Sequence, residues 1–238
     1  MKQQENLVRI NKFISQNTEY SRRKADELID QGKVKLNGKI VDSPGVQIDP
    51  QNDRLEIDNI SIKVAPFEKT YIALHKPMGF VTTRNDEMGR QTVMDLIPKN
   101  KNLKPIGRLD KKTEGLLLLS NDGDFINRLT HPRFECDKTY LAEISDPLDP
   151  KDQELLEKGV RIDRKVTYPA EIELIQPNLV KIKIHEGRNR QIRKMFELLG
   201  YTVKYLKRIQ IGGVSLGALK KGAYRNLTKS EVNAYKSA

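Results

Sequence analysis

The feature that most constrains the chain is the apolar run GLLLLS at residues 115–120. The run is too short for a typical helix, and it is bounded by Gly115 on one side and by the turn-forming sequence NDGD at 121–124 on the other. Four leucines in succession indicate an element shielded from water. We therefore predict a buried strand that forms a rigid base for the residues beside it.

Charged residues of both signs lie directly before this strand. Asp110 follows Arg108 and Leu109 and precedes two lysines. A loop carboxylate next to a rigid strand can be placed accurately, and positive neighbours keep it ionised, so that it can act as a nucleophile or a base. From the spacing alone, a structural ion pair explains Asp110 equally well.

The first fifty residues predict a small separate unit. Apolar residues at helical spacing indicate one helix around residues 10–14 and another around residues 25–29. Ser21 is a suitable N-cap for the second helix, and Gly32 suits its end. Asn37-Gly38 lies between alternating apolar residues and predicts a hairpin. We assign residues 1–60 to this helix-helix-hairpin unit, residues 61–67 to a linker and residues 68–238 to a larger unit.

The larger unit mixes strand and helix patterns. Strand patterns occur at 70–77, 138–144 and 179–187, and residues 190–200 form an amphipathic helix pattern that ends at Gly200. This arrangement predicts the α+β class, with a mixed but mostly antiparallel sheet. Lys76, which follows a predicted strand, is expected either to contact phosphate or to be solvated.

The net charge of +11 is concentrated near the C-terminus. Residues 181–238 contain 14 Lys or Arg and 3 Asp or Glu, whereas residues 1–180 contain 29 of each. A one-sided basic surface attracts polyanions. Arg22, Arg23 and Lys24 occupy the first turn of the second predicted helix, where positive charge opposes the helix dipole. That position favours phosphate binding, and ordinary solvated charge is the alternative.

The composition also limits the chemistry. Cys136 is the single cysteine, and the three histidines are scattered, so we expect neither a disulfide within the chain nor a metal site. We find no cofactor motif, no bilayer-spanning apolar run and no secretory signal. We expect a cytoplasmic protein that needs no cofactor, does not enter a membrane and is a monomer.

Several sequence motifs resemble, in order, those of ribosomal RNA pseudouridine synthases. The sequence GRLDKKTEGLLLLSNDGD at 107–124 resembles the defining motif of these enzymes. Four further segments agree with it, namely LHKPMGFVTT at 74–83, HPRFECDKTYLAEI at 131–144, EGRNRQIRKMFELLG at 186–200 and IGGVSLGALKKGAYRNLT at 211–228. Residues 9–38 resemble the N-terminal alpha-L RNA-binding motif of a site-selective group of these synthases.

The resemblance implies specific roles. Asp110 is the catalytic carboxylate, Tyr140 stacks on the target base, and Arg193 pairs with the acid. Arg108 helps to open the substrate and to hold the flipped nucleotide, and Ile192 lines the uracil pocket. The base must leave the RNA stack to reach such a site, and stacking on an aromatic ring contributes ~1–3 kcal/mol. The base then leaves its ribose, turns and rejoins through carbon without redox change.

Two other classes of function stay open at this stage. A noncatalytic RNA-binding protein of ribosome assembly would explain the basic tail, but it would not need Asp110, Tyr140 and Arg193 together. A glycosidic hydrolase would need a second acid, for which Glu114 is the nearest candidate. As the target of a synthase we favour large-subunit ribosomal RNA, free or within an assembly intermediate, with small-subunit ribosomal RNA as the alternative.

Overall fold

A computed structural model of the chain describes residues 7–18, 20–62, 68–98 and 102–235. Contacts between Cα atoms divide the chain into two compact units, residues 1–69 and 70–238. Most of the interval that we assigned to a linker, residues 63–67, lies outside the described residues.

The smaller unit contains two short helices and six short strands. Its elements in chain order are β1 (Val8–Arg9), α1 (Ile10–Asn17), α2 (Arg22–Asp30), β2 (Val34–Leu36), β3 (Lys39–Ile40), β4 (Gln47–Ile48), β5 (Leu55–Ile57) and β6 (Ile60–Ile62). Strands β3, β2, β5 and β6 form one sheet in that order, and β1 pairs with β4.

Local sequence signals account for much of this unit. The Ser21 hydroxyl accepts a hydrogen bond from the Lys24 amide at 3.1 Å, which caps α2 as predicted. Gly32 follows the helix with φ +69°. Asn37 and Gly38 both have positive φ, as a tight turn between β2 and β3 requires. The apolar faces of both helices pack with residues from the strands into one core.

The larger unit is built on a sheet of nine strands, and two further strands form a separate pair. The eleven strands in chain order are β7 (Tyr71–Lys76), β8 (Lys104–Ile106), β9 (Glu114–Ser120), β10 (Lys138–Ile144), β11 (Arg161–Ile162), β12 (Lys165–Val166), β13 (Glu171–Gln176), β14 (Leu179–Ile184), β15 (Val203–Ile211), β16 (Val214–Ser215) and β17 (Tyr224–Asn226). Its helices are α3 (Gly123–Thr130), α4 (Pro150–Lys158), α5 (Gln191–Leu198) and α6 (Lys229–Asn233), with short 3-10 helices at Val93–Leu96 and Pro132–Phe134.

The sheet is mixed and mostly antiparallel, which confirms the predicted class. Its main order is β13-β14-β10-β15-β9-β7-β17, while β8 pairs with β9 and β16 with β15. Strands β11 and β12 form a separate pair. Only the β9–β15 pairing is parallel among the described strands of the larger unit.

Strand β9 is buried along its whole length because both faces of the sheet are covered. Leu117 and Leu119 belong to one apolar core, and Leu116 and Leu118 to another. The first core includes residues of α4 and α5, and the second includes residues of α3 and α6. Alternate side chains of a strand point to opposite faces, so four consecutive leucines are what a strand between two cores requires.

The parallel junction depends on a glycine. Gly115 of β9 lies opposite Arg208 of β15 and has φ +111°. A Cβ atom at Gly115 would lie 2.6 Å from the Arg208 amide nitrogen, and closer still to its carbonyl oxygen. Both obstacles are backbone, so the two strands could not accept a side chain here without separating.

Replacing Gly115 with alanine is therefore expected to destabilise the larger unit by about 3 kcal/mol. The control is Gly217→Ala, because Gly217 also has positive φ (+53°) but a Cβ atom added there would meet no other atom within 4 Å. That control is expected to cost only about 1 kcal/mol of backbone strain. Urea unfolding of both variants measures the difference, and equal losses would contradict the close-contact argument.

Candidate active site

A cavity of about 610 Å³ lies in the larger unit at the N-terminal end of β9. Its lining includes residues of the loop before β9, of β10, of the segment before α5 and of β15. Arg108, Asp110, Tyr140 and Ile192 all line this cavity. The fold thus brings together residues that are up to 84 positions apart in the sequence.

The loop that carries Asp110 is held by its backbone. The Thr82 hydroxyl donates to the Leu109 carbonyl at 2.8 Å and accepts from the Leu109 amide at 3.2 Å. The Asp110 carbonyl accepts from the Thr113 amide at 3.0 Å, and the Lys111 carbonyl accepts from the Gly79 amide at 2.8 Å. The Asp110 carboxylate makes no hydrogen bond or salt bridge with any residue that the structure describes, so it is available to a substrate.

Lys76 lies beneath this loop, and both expectations for it were wrong. Its side chain is completely buried. Its ammonium group donates to the carbonyls of Pro77 at 3.0 Å, Asp110 at 3.1 Å and Thr113 at 2.8 Å, and these bonds offset the cost of burying the charge. Burial lowers the pKa of Lys76 to about 8, against the opposing effect of the Asp110 charge. Lys76 therefore fixes the Asp110 loop instead of meeting solvent or phosphate.

Arg193 fixes the same loop from the other side but does not line the cavity. Its guanidinium donates to the Lys112 carbonyl at 2.9 Å and to the Val203 carbonyl at 2.7 Å. Among the described ion pairs, none within 4.0 Å joins it to Asp110. Burial and the charge of Arg190 lower the pKa of Arg193, whereas the Asp110 charge raises it. The direct pairing implied by the resemblance is thus replaced by contacts to the loop backbone and an electrostatic influence.

Tyr140 lies against a buried arginine that the sequence analysis missed. Arg208 of β15 is 3% exposed, and its Nη1 lies 3.4 Å from the Tyr140 hydroxyl. Its Cζ lies 5.9 Å from the centre of the Tyr140 ring, and its Nε donates to the Leu116 carbonyl at 2.7 Å. Arg208 therefore anchors the ring to β9. The sequence does contain a signal for this arginine. Arg208 lies two residues after Leu206, on the same face of a strand, where an apolar residue would be expected.

Glu114, the candidate second acid, is engaged elsewhere. It is buried, does not line the cavity, and accepts a hydrogen bond from the Tyr205 hydroxyl. Lys221 lies 2.7 Å from its carboxylate, and His75 lies 3.7 Å away. Burial alone would raise the pKa of Glu114, but the bonds from Lys221 and Tyr205 bring it below its usual value. This carboxylate is held ionised by Lys221 and Tyr205 outside the cavity, so it cannot serve as the proton donor of a paired-acid hydrolase.

The three basic residues of α2 lie in the smaller unit, not in the lining of this cavity. Arg22, Arg23 and Lys24 are all exposed. Lys24 forms a surface salt bridge with Glu27 at 2.8 Å, whereas Arg22 and Arg23 have no partner among the described residues. An exposed pair of this kind is screened by solvent and contributes little to stability.

Neither a metal cluster nor a membrane span is found in the described part of the chain. No group of three His, Cys, Asp or Glu side chains there is placed to hold a metal ion. No helix there is long and apolar enough to cross a bilayer.

Comparison with protein families identifies the class of this site. Residues 70–198 match the family described as RNA pseudouridylate synthase, and residues 8–55 match the S4 domain. The chain belongs to the RNA pseudouridylate synthase family, whose enzymes are isomerases, and it carries an RNA-binding S4 domain. The resemblance seen in the sequence is thereby confirmed.

Similar proteins support this assignment over nearly the whole chain. The chain is 42% identical over 236 residues to ribosomal large subunit pseudouridine synthase B of Bacillus subtilis (strain 168), covering 95% of this chain and 94% of that protein. It is 38% identical over 226 residues to dual-specificity RNA pseudouridine synthase RluF of Escherichia coli (strain K12), covering 94% and 77%. A crystal structure of a pseudouridylate synthase, 35% identical, superimposes with a TM-score of 0.70 over 95% of this chain and 98% of that one.

Removing the Lys76 ammonium is expected to destabilise the larger unit. Lys76→Met leaves three carbonyls without their donor, at a cost of about 3 kcal/mol or more. Lys112→Met is the control, because the Lys112 side chain is exposed, and its effect is expected to stay within about 0.5 kcal/mol. Chemical denaturation of both variants provides the measurement. Equal stability of the two variants would remove Lys76 from its structural role.

The lowered pKa of Lys76 also predicts a pH dependence. Above about pH 8 its neutral amine has two hydrogens for three carbonyls, and losing one hydrogen bond to the loop is expected to slow turnover roughly 2- to 10-fold by pH 9. The contribution of Lys76 to the free energy of unfolding changes in the opposite direction to the turnover rate. The native state releases this proton before the unfolded chain does, so this group favours folding as pH rises from about 8 towards its ordinary value of 10.5.

Turnover and the thermal unfolding midpoint, measured together from pH 7 to pH 9, separate these two effects. The expected result is a falling rate without a matching fall in stability from this group. A rate that stays constant to pH 9 would contradict the proposed coupling.

Proposed function

We propose that this protein converts one specific uridine of ribosomal RNA into pseudouridine, with Asp110 as the catalytic carboxylate. The observation that carries the proposal is that one cavity brings Asp110, Tyr140, Arg108 and Ile192 together and leaves the Asp110 carboxylate without a partner among the described residues. A backbone-anchored carboxylate of this kind is organised before the substrate arrives.

Each residue has a role that its position supports. Arg108 is exposed at the cavity edge, where it can replace the flipped nucleotide in the RNA and hold it out. The base stacks on Tyr140, while Ile192 closes the apolar side of the pocket. Asp110 then acts at the glycosidic carbon as a nucleophile or takes a proton from the sugar. The C1′–N1 bond breaks, the base keeps the electron pair, turns, and bonds to C1′ through C5. C5 then loses its proton, and N1 gains one.

Two positive groups hold the loop that carries Asp110. Arg193 and Lys76 both donate hydrogen bonds to carbonyls of the loop, and the Asp110 charge raises the pKa of Arg193 against the effect of burial. We assign Arg193 to positioning rather than to contact with the base, because it lies outside the cavity lining.

We further propose that residues 1–60 recognise the RNA, residues 68–238 carry out the reaction, and residues 61–67 link the two. The favoured target is large-subunit ribosomal RNA, free or in an assembly intermediate. The similarity to the Bacillus subtilis large-subunit enzyme supports this choice, and the dual-specificity relative keeps other RNA targets possible. We propose that the protein acts in the cytoplasm as a monomer. Mapping pseudouridine in both ribosomal RNAs of a deletion strain tests the target, and a site lost from small-subunit RNA would overturn it.

Asp110→Asn is expected to abolish turnover, because it removes the charge and keeps the size of the side chain. Tritium release from RNA labelled at uracil C5 measures this, with Asp146→Asn as the control. Asp146 is exposed and lies outside the cavity lining, so its loss is expected to leave turnover within about twofold. Near-normal release by Asp110→Asn would refute the assignment.

Replacing Arg22 and Arg23 with alanine is expected to weaken RNA binding in a salt-dependent manner. Removing about two phosphate contacts lowers the slope of log affinity against log salt by roughly one to two units. The matched control replaces Lys151 and Lys158, two exposed lysines of α4. Binding over a salt series is the measurement. The recognition role fails if both double variants keep the wild-type slope.

A further inference from the structure

The cavity that contains Asp110 also has an aromatic part with no role in the proposed reaction. Tyr168 and His185 both line it, with ring centres 4.6 Å apart and planes inclined by 53°. Tyr168 is 56% exposed, so its ring is not a core residue. A tyrosine that presents most of its surface at the edge of a substrate cavity has a face available for stacking.

The backbone that carries this ring is held by a network of hydrogen bonds. The Tyr168 amide donates to the Glu186 carboxylate at 3.1 Å. The same carboxylate accepts from Arg188 at 2.9 Å and from Gln191 at 2.6 Å. Arg188 also donates to the carbonyls of Lys165 at 3.0 Å and Val166 at 2.6 Å.

These bonds tie the segment before β13 to the start of α5, where Ile192 lies. A segment held in one conformation loses less entropy when a ligand binds to it, so these bonds suit a binding surface.

Two polar groups in the lining of the same cavity have no hydrogen-bond partner among the described residues. His185 Nε2 is buried and has no hydrogen-bond partner among the described residues. Arg190 lines the same cavity, is exposed, and its guanidinium has no hydrogen bond or ion pair within the described structure. Arg190 has φ +52°, an uncommon conformation for an arginine. The lining that contains the exposed Tyr168 ring thus also contains His185 Nε2 and the Arg190 guanidinium, neither of which has a partner among the described residues.

We infer that Tyr168, His185 and Arg190 form a second nucleotide subsite, which takes the RNA nucleotide next to the target uridine. The inference rests on the proposed function. When the target base flips out, its neighbour loses a stacking partner, and an exposed aromatic ring replaces that partner. The neighbouring base stacks on Tyr168, its edge reaches His185 Nε2, and its phosphate pairs with Arg190.

The first test measures binding of a stem-loop RNA that carries the mapped target uridine, by fluorescence anisotropy. Tyr168→Ala is expected to weaken binding roughly 5- to 150-fold, the equivalent of one stacked base. Tyr168→Phe keeps the ring and is expected to bind within about threefold of wild type. Tyr224→Ala is the matched control, because Tyr224 is also exposed (44%) but lies outside the cavity lining, and it is expected to bind as wild type does.

The second test identifies the contacting nucleotide. The same RNA is made with an abasic residue at each position flanking the target. Wild-type protein is expected to lose affinity at one flanking position, and Tyr168→Ala is expected to be insensitive to that same change. Arg190→Ala is expected to lower the salt slope by about one unit. Unchanged binding by Tyr168→Ala, or equal abasic losses in both proteins, would overturn the subsite.

Failure of the subsite can be told apart from failure of the proposed function. A wild-type protein that converts the target uridine, together with a Tyr168→Ala variant that binds normally, contradicts the subsite alone. A wild-type protein that releases no tritium from the labelled RNA contradicts the proposed function, and the abasic comparison still reports on stacking because it needs only binding.

Discussion

The burial of β9 on both faces is the constraint on which the larger unit depends. Its leucines supply two separate cores, so helices must cover the sheet on both sides. A strand fixed in this way cannot slide or tilt, because a shift of one residue would exchange the residues of the two cores. The loop at its start inherits that rigidity. The Asp110 carboxylate, for which we propose the catalytic role, is therefore carried by a loop next to a strand that is buried along its whole length.

Two buried cations, Lys76 and Arg208, and the half-buried Arg193 donate to backbone carbonyls instead of carboxylates around this loop. Lys76 contacts three carbonyls, Arg193 contacts two, and Arg208 contacts that of Leu116. Burying such charges without an opposite charge is costly, and carbonyl dipoles offset the cost only in part. Burial lowers the pKa of Lys76 and of Arg193, and the nearby Asp110 charge opposes that effect in both. The architecture thus creates a site suited to a negative side chain and to a polyanionic substrate.

Local signals in the sequence were sufficient for much of the fold. The cap at Ser21, the turn at Asn37-Gly38, the buried leucine strand and the amphipathic helix ending at Gly200 all depend on neighbouring residues, and all are present. The four residues to which the motif resemblance gave roles at the base, Arg108, Asp110, Tyr140 and Ile192, line one cavity. Their catalytic roles stay predictions until they are tested.

The rest could not be read locally because it depends on partners far away in the sequence. Lys76 looked like a solvated lysine, since its acceptors at Asp110 and Thr113 lie 34 and 37 residues away. Arg208 donates to the Leu116 carbonyl, 92 residues away in the sequence, and the residues next to Arg208 do not predict that partner. Arg193 was expected beside the acid, but helix α5 directs it to the carbonyls of Lys112 and Val203.

The position of β15 in the sheet has a consequence for how the protein is made. This strand comes from the last quarter of the chain, yet it lies between β10 and β9, and its Arg208 completes the floor of the cavity. On the ribosome, the sheet stays split into two parts until residue 211 has emerged, whereas the N-terminal unit has its own core and is complete after about residue 62. Strand pairings between residues far apart in the sequence are also slow to form in general. The nascent chain therefore has a folded RNA-binding domain well before it has a catalytic site.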